Sequence, residues 1–366
     1  MQASADAFSA LTLARTPRVG PVTYKGLIAR FGSPSAALDA LPDLAQRAGG
    51  KPPVPPGSSI VEAELKEIEK GGCQLLILGQ GDYPSQLAVL PDAPAVLTLR
   101  GSAELLKGPA VAMVGARNAS TIGRKLATTL AADLGKEGVV ISSGLARGID
   151  TAAHQGSLNS GTIAVVAGGI DRIYPKENET LYWEIAERGG ILSEMPWGAQ
   201  PTAHLFPRRN RIVSGLALGV IVVEAAKKSG SLITARLAGE QGRHVFAVPG
   251  NPLDPRASGG NHLIREGATL IRGAEDVLEG IGPMIGDVYV PNVPFRGAPT
   301  SAEPDDAARQ AILDALSTVP VHADEVMRSA QLTGDVFAAA VMELELAGRL
   351  ERHAGGRLAL SAEGMM

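Results

Sequence analysis

From residue 111 onward the chain alternates short apolar runs with stretches of helical length. AVAMVG, VVISSG, TIAVVAGG, GGILSE, GVIVVEA, HVFAVPG and ATLIRG are seven such runs, most of them ending at glycine. Continuous apolar runs predict strands buried on both faces, and the helices between them predict a parallel sheet covered on either side. The expected fold is therefore α/β, with a doubly wound, extended Rossmann-like parallel sheet over residues 80–285. Ahead of it, Leu11, Leu13, Val22, Leu27, Ile28, Phe31 and Leu38 recur between Gly and Pro turns. That spacing predicts a small helical domain of the SAM or helix-hairpin-helix kind within residues 1–79. Val19-Gly20-Pro21 before a helix has the form of such a hairpin, and an ordinary turn accounts for it equally well. KPPVPPGSS at 51–59 reads as a stiff connector, followed by a helix at 60–70.

Residues 286–305 are rich in proline and poor in periodicity, which predicts a linker. In 306–366, three helical stretches are followed by RLERH and GRLAL about Gly355-Gly356, the order of a winged helix and a separate C-terminal unit. The third helix of such a fold commonly meets DNA. Here it carries Glu343 and Glu345, and residues 286–366 hold 6 basic and 12 acidic residues, so phosphate contact is disfavoured and a protein-contact or core role is expected.

Composition narrows the picture. Glycine accounts for 44 of 366 residues, well above the usual ~7%, and no collagen-like period appears, so the excess belongs to turns and close backbone approaches. Cys73 is the single cysteine, which excludes an intrachain disulfide. No apolar run approaches the ~20 residues of a bilayer span, and a soluble, cytoplasmic protein is expected. The net charge of −4 conceals a basic stretch at 200–243, with Arg208, Arg209, Arg211, Lys227, Lys228, Arg236 and Arg243 against Glu224 and Glu240.

The candidate chemistry sits in the loops after the strands. Val114-Gly115-Ala116-Arg117-Asn118 leads to a helix near Thr121, so backbone N–H groups, a helix N-terminus and a guanidinium are expected to converge on one phosphate. Ser142 to Asp150 follows the next strand. Gly144 and Gly148 allow close backbone approach there, and Asp150 is the expected N-cap of the helix carrying His154. Lys176, in Tyr174-Pro175-Lys176-Glu177-Asn178, supplies a second cation. Lys228 to Thr234 opens another helix, where Ser231 and Thr234 offer hydroxyls and N–H groups. A row of anion loops along one sheet edge suits several successive phosphates better than a single nucleotide.

Other chemistries find no support. There is no Gly-x-Gly-x-x-Gly, no Gly-Lys-Ser/Thr and no Gly-x-Ser-x-Gly, and the six histidines are scattered. Neither a cofactor nor a metal is expected. His154 and Asp150, one helical turn apart, read as a buried imidazole and a cap.

The motifs in order, from Val114-Gly115-Ala116-Arg117 through Ser143-Gly144-Leu145-Ala146-Arg147-Gly148-Ile149-Asp150, Tyr174-Pro175-Lys176-Glu177-Asn178, Leu192-Ser193-Glu194 and Phe206-Pro207-Arg208-Arg209-Asn210-Arg211 to Ser229-Gly230-Ser231-Leu232-Ile233-Thr234, closely resemble the bacterial DNA-processing protein A (DprA/Smf) family. Val248-Pro249-Gly250-Asn251 before Gly259-Gly260-Asn261 extends the likeness. The resemblance implies a non-catalytic, single-stranded DNA-binding mediator of natural transformation and DNA recombination. Such proteins protect incoming DNA and load a RecA-type recombinase, usually as homodimers. It further implies Arg117 and Lys176 as principal phosphate cations, with Gly115, Gly144, Gly168, Asn178, Arg211, Gly230, Ser231 and Thr234 lining the pocket. Ala116 stands where the family often has serine. Aromatic residues make up only 4%, so backbone contact should dominate, with Tyr174, Phe206 or Trp197 as stacking candidates. The competing reading is a phosphoribohydrolase-like, nucleotide-processing enzyme on a related fold, with Glu224 as its carboxylate.

Overall fold

The computed structural model of the chain describes residues 2–285, 303–353 and 355–361. Most of the stretch expected to be a linker, residues 286–302, lies outside them. The described chain divides into two compact units, one from residues 64–285 and one that joins residues 2–63 with 303–361.

The first helices are α1 (Gln2–Arg15), α2 (Pro21–Phe31), α3 (Pro34–Arg47) and α4 (Ser58–Lys70). Their boundaries follow local chemistry. Pro21 and Pro34 sit at the first helical positions, where a missing N–H costs nothing. Gly32, at φ 80°, closes α2, and the Ser33 side chain accepts from the Ala36 N–H at 3.2 Å to open α3.

The sheet unit continues with β1 (Gln74–Ile77), α5 (Ser85–Ala88), β2 (Val96–Gly101), β3 (Ala110–Val114), α6 (Thr121–Lys136), β4 (Val140–Ser143), α7 (Ile149–Ser157) and β5 (Thr162–Val165). Then come α8 (Glu179–Arg188), β6 (Gly190–Ser193), α9 (Leu205–Gly215), β7 (Gly219–Val222), α10 (Gly230–Glu240), β8 (His244–Ala247), α11 (Ser258–Arg265), β9 (Thr269–Leu270) and α12 (Ala274–Ile285). The strands lie in the order β1-β2-β6-β5-β4-β3-β7-β8-β9. The seven apolar runs are β3 to β9, and all of these neighbours pair in parallel.

Two strands were not expected. β2 pairs antiparallel with β6, and β1 antiparallel with β2, so the sheet is mixed rather than wholly parallel. Their stretch is broken by Gly79, Gly81, Pro84, Pro91 and Pro94, which masks two short edge strands as loop. The parallel strands are covered on both faces. Val111, Met113, Ile141 and Ile221 pack into one layer, and Ala112, Val114, Ile163 and Val220 into the other, the alternation a pleated strand imposes.

The second unit adds α13 (Asp306–Asp314), β10 (Val321–His322), α14 (Ala323–Ser329), α15 (Gly334–Leu346), β11 (Leu350–His353) and β12 (Arg357–Leu360) to the N-terminal helices. The three strands form an antiparallel sheet, completing a winged helix. By its contacts the winged helix falls into one compact unit with the N-terminal helices. Its third helix, α15, is buried almost all round. Phe337, Ala340, Val341 and Leu344 fill the winged-helix core together with Ala48, the residue after α3. Glu343 receives Arg309 (2.7 Å) and, from α2, Arg30 (2.9 Å), while Glu345 accepts from Thr23 (2.5 Å). The two glutamates are therefore not surface charges that repel phosphate. Helices α2, α3 and α13 pack against α15.

Candidate functional site

At β3 the strand order reverses: β4 lies on one side and β7 on the other. Loops at the carboxyl ends of such neighbours diverge, which opens a crevice. A cavity of about 940 Å³ occupies it. Its walls are the loop after β3 (Gly115 to Asn118), the loop after β4 (Gly144, Ala146), Lys228 to Ser231 leading into α10, and one face of α9.

In the first loop, a Cβ on Gly115 would collide with Ile149, so only glycine allows the loop to close over α7. Arg117 is exposed, with its guanidinium 5.6 Å from the centroid of the Phe206 ring. Tyr174 lies 5.5 Å from the same ring, centroid to centroid. The expectation that the N-terminus of α6 joins Arg117 around one phosphate is corrected here. Ser120 caps that helix, and Glu224 accepts from the Ser120 N–H (2.9 Å) and hydroxyl (2.6 Å). A carboxylate already satisfies the positive end of α6. Glu224 does not line the cavity, which removes the carboxylate that the nucleotide-processing reading required. The helix end at the cavity belongs to α10 instead: Ser229 caps it, accepting from the Ser231 N–H (3.4 Å), and Gly230, Ser231 and Thr234 line the cavity.

The second loop depends on a buried arginine. Arg209 of α9 donates to the carbonyls of Gly144 and Val165. A Cβ on Gly144 would lie 2.7 Å from that guanidinium, so glycine is required for the approach. Asp150 is not the N-cap. Gly148, at φ 83°, holds that position, and the Asp150 carboxylate turns back to accept from the N–H groups of Gly144 (3.2 Å) and Ala146 (3.3 Å). Burial lowers the Arg209 pKa to about 10, and the charge of Asp150 opposes that fall. Burial likewise raises the Asp150 pKa, with Arg209 opposing.

His154 is fully buried, its Nδ1 2.7 Å from the Thr162 hydroxyl. Burial, and then the charge of Arg209, lower its pKa to about 3. The imidazole is neutral and structural. Its folded pKa lies below the unfolded value of about 6.5, so the unfolded chain takes up a proton first as pH falls. Stability should therefore be lost from about pH 6.5 downward at up to ~1.4 kcal/mol per pH unit. Urea midpoints measured across that range in wild type and His154→Leu should differ in slope by one proton; equal slopes would refute the assignment.

Of the expected site residues, Gly115, Arg117, Gly144, Gly230, Ser231 and Thr234 line the cavity, and four do not. Lys176 is exposed in a short turn beside Tyr174, outside the lining. Asn178 is buried and donates to the Leu145 carbonyl and the Thr151 hydroxyl, both at 2.9 Å, which ties down the second loop. Gly168 packs beneath Ala199 and Pro201. Arg211 is bound by Glu194 and the Asp92 carbonyl. Burial raises the pKa of Glu194, but Arg211 and Arg208 outweigh it and hold the carboxyl below its ordinary value.

Arg209, Asn210 and Lys228 are wall residues that the motif reading did not select. Phe206, Arg209, Asn210 and Val213 repeat at helical spacing, so reading 205–215 as a helix would have separated Arg209 from Arg211. Tyr174 and Phe206 are at the site. Trp197 instead covers Gly71 and packs against the cluster around Ile170 and Ile185.

Fold and cleft together define a doubly wound α/β protein with a cation-lined crevice at its switch point, carrying helical and winged-helix additions. Three family models match it in turn: a DprA-like N-terminal HHH domain over residues 4–66, DNA recombination-mediator protein A over 74–282, and a DprA winged helix domain over 296–356. The chain belongs to the DNA recombination-mediator protein A family. It is similar to the DNA processing protein DprA of Streptococcus pneumoniae, with 49% identity over 198 residues covering 54% of this chain and 70% of that one. Protein Smf of Escherichia coli is 38% identical over 308 residues, covering 82% and 81%. The solved structure of the Streptococcus pneumoniae protein matches at a TM-score of 0.58 with 39% identity, over 68% of this chain and 82% of that one. DNA processing protein A of Helicobacter pylori, a protein with a described single-stranded DNA binding mode, matches at a TM-score of 0.53 with 33% identity, over 58% and 96%.

Among the described residues, no helix is long and apolar enough to cross a membrane.

Proposed function

We propose that this chain is a single-stranded DNA-binding mediator without turnover, which grips the sugar-phosphate backbone in the cleft at the switch point. One observation carries the reading. Arg117, Lys228 and the N-terminus of α10 converge on a single cavity beside the Tyr174–Phe206 pair, so phosphates meet cations and a helix dipole while a base meets a ring. The Helicobacter pylori relative binds single-stranded DNA, which supports the same class of ligand here. Lys176 acts at the rim as a further cation. Protection of incoming DNA, loading of a RecA-type recombinase and action as a homodimer complete the proposal; these three rest on the family resemblance.

Contacts to the backbone make binding independent of sequence and steep in salt. Arg117→Ala should weaken binding to unrelated single strands on the order of tenfold at low salt, and lower the log–log salt slope by about 0.7, the increment for one phosphate on a single strand. Lys228→Ala should act in the same direction, and Lys176→Glu at the rim more weakly. Fluorescence anisotropy on single- and double-stranded DNA of equal length, titrated with salt, measures all of this. Unchanged affinity in Arg117→Ala and Lys228→Ala would defeat the site, and a preference for duplex would defeat the class.

A further inference from the structure

A second depression, of about 500 Å³, opens between α6 and α7, across the Gly148 turn from the first cleft. Thr121, Arg124, Lys125 and Thr128 share one face of α6 and line it, opposite Thr151 and Gln155 of α7. Both cations are exposed. Among the described residues neither makes an ion pair; Arg124 reaches only the Thr121 hydroxyl, at 3.5 Å. Lys136 on the same helix differs, being held by Asp133 one turn away at 2.7 Å. No carboxylate and no aromatic ring lines this groove.

The two depressions are linked. The ridge between them is Gly148 packed under the carbonyls of Ala116 and Arg117. Arg147 stands on that ridge. It lines the second groove, and also a small recess whose other walls include Arg117, Tyr174 and Phe206 of the first cleft. Among the described residues its ion-pair partner is Glu177, 3.7 Å away, and both side chains are more than half exposed, so solvent screens the pair. Arg117, Arg147 and the Arg124–Lys125 pair thus mark a continuous cationic path from one depression to the other.

The lining states which part of a ligand fits. Ammonium, guanidinium and hydroxyl groups without an aromatic platform suit phosphates and sugars, whereas the first cleft also offers rings. We infer that the α6–α7 groove is a second phosphate subsite, which takes the backbone of the same strand once it has crossed the ridge at Arg147. This inference rests on the proposed single-strand binding by the first cleft and extends it to longer ligands.

The test uses the full chain and oligothymidines lengthened one nucleotide at a time, in wild type, Arg124→Ser/Lys125→Ser and Arg147→Ala. Wild-type affinity should rise to a first plateau as the cleft fills, then climb again as the strand enters the groove. The double variant should match wild type on the shortest binding oligomers and stop at the first plateau. On long oligomers it should be weaker on the order of tenfold, with a salt slope lower by about 1.4 for two lost phosphates. Arg147→Ala should delay the second rise. Equal binding of long oligomers by wild type and the double variant overturns the subsite, as does an equal loss on short and long ones. Failure of wild type to bind any oligomer sinks the reading of the first cleft instead, and this inference with it.

Discussion

Glu343→Ala should lower the stability of the unit formed by residues 2–63 and 303–361 by about 3–5 kcal/mol, the usual cost of removing one partner from a buried ion network. The carboxylate is fully buried and bridges two guanidiniums, with Arg309 at 2.7 and 2.9 Å and Arg30 at 2.9 Å. Without it, Arg309 keeps only the exposed Asp306 (2.9 Å) and Arg30 only the exposed, more distant Glu303 (3.9 Å), so two mostly buried guanidiniums lose their buried partner. Arg30 and Glu343 lie far apart in sequence, so the loss should appear together in α2, α3 and α15. Hydrogen exchange on the full chain should show these helices opening as one body in the variant, and local loosening of α15 alone would refute the coupling. A chain with Arg30→Met, Arg309→Leu and Glu343→Met should recover much of the loss, because apolar groups of similar volume need no charge partner. Exposure of α15 in the variants would also show whether this helix binds duplex DNA once uncovered.

The second large effect is expected at Gly148. Its backbone, at φ 83° and ψ −116°, is one that side-chain-bearing residues scarcely adopt, and a Cβ would run into the carbonyls of Ala116 and Arg117. Gly148→Ala should therefore cost about 1–3 kcal/mol in strain alone, and more through the collision. The first loop must move away from the second, which separates Arg117 from Phe206 and Tyr174. Single-strand affinity should fall more than in Arg117→Ala, because positioned N–H groups are lost along with the guanidinium. Gly239→Ala is the control. It lies inside α10 with open space where its Cβ would go, and should stabilise by about 0.4–1 kcal/mol. Thermal midpoints and anisotropy on both proteins decide the matter; an unshifted midpoint in Gly148→Ala would refute the strain.

Much of the architecture is legible in residue order because burial on two faces demands unbroken apolar strands, and Val111 to Val114 or Val220 to Val223 can serve little else. Glycine loops are legible for a similar reason, since Gly115, Gly144 and Gly148 occupy places where backbone meets backbone or a guanidinium. β1 and β2 were hidden because edge strands need less continuous apolar sequence, and theirs is interrupted by turn residues.

What order along the chain determined is the set of parts: seven parallel strands, anion-friendly turns at their ends, a helical start and a winged-helix close. Tertiary structure alone decided how the charges are used. Arg209 and Arg211 stand two positions apart on one helix, yet one faces the cleft and holds the second loop while the other is spent on Glu194. Glu224 quiets the end of α6, and Glu343 binds the two ends of the chain together. A charge has no preferred partner until distant segments meet. Its role is set by which neighbours replace the water it loses, and that depends on three-dimensional proximity rather than on spacing along the sequence.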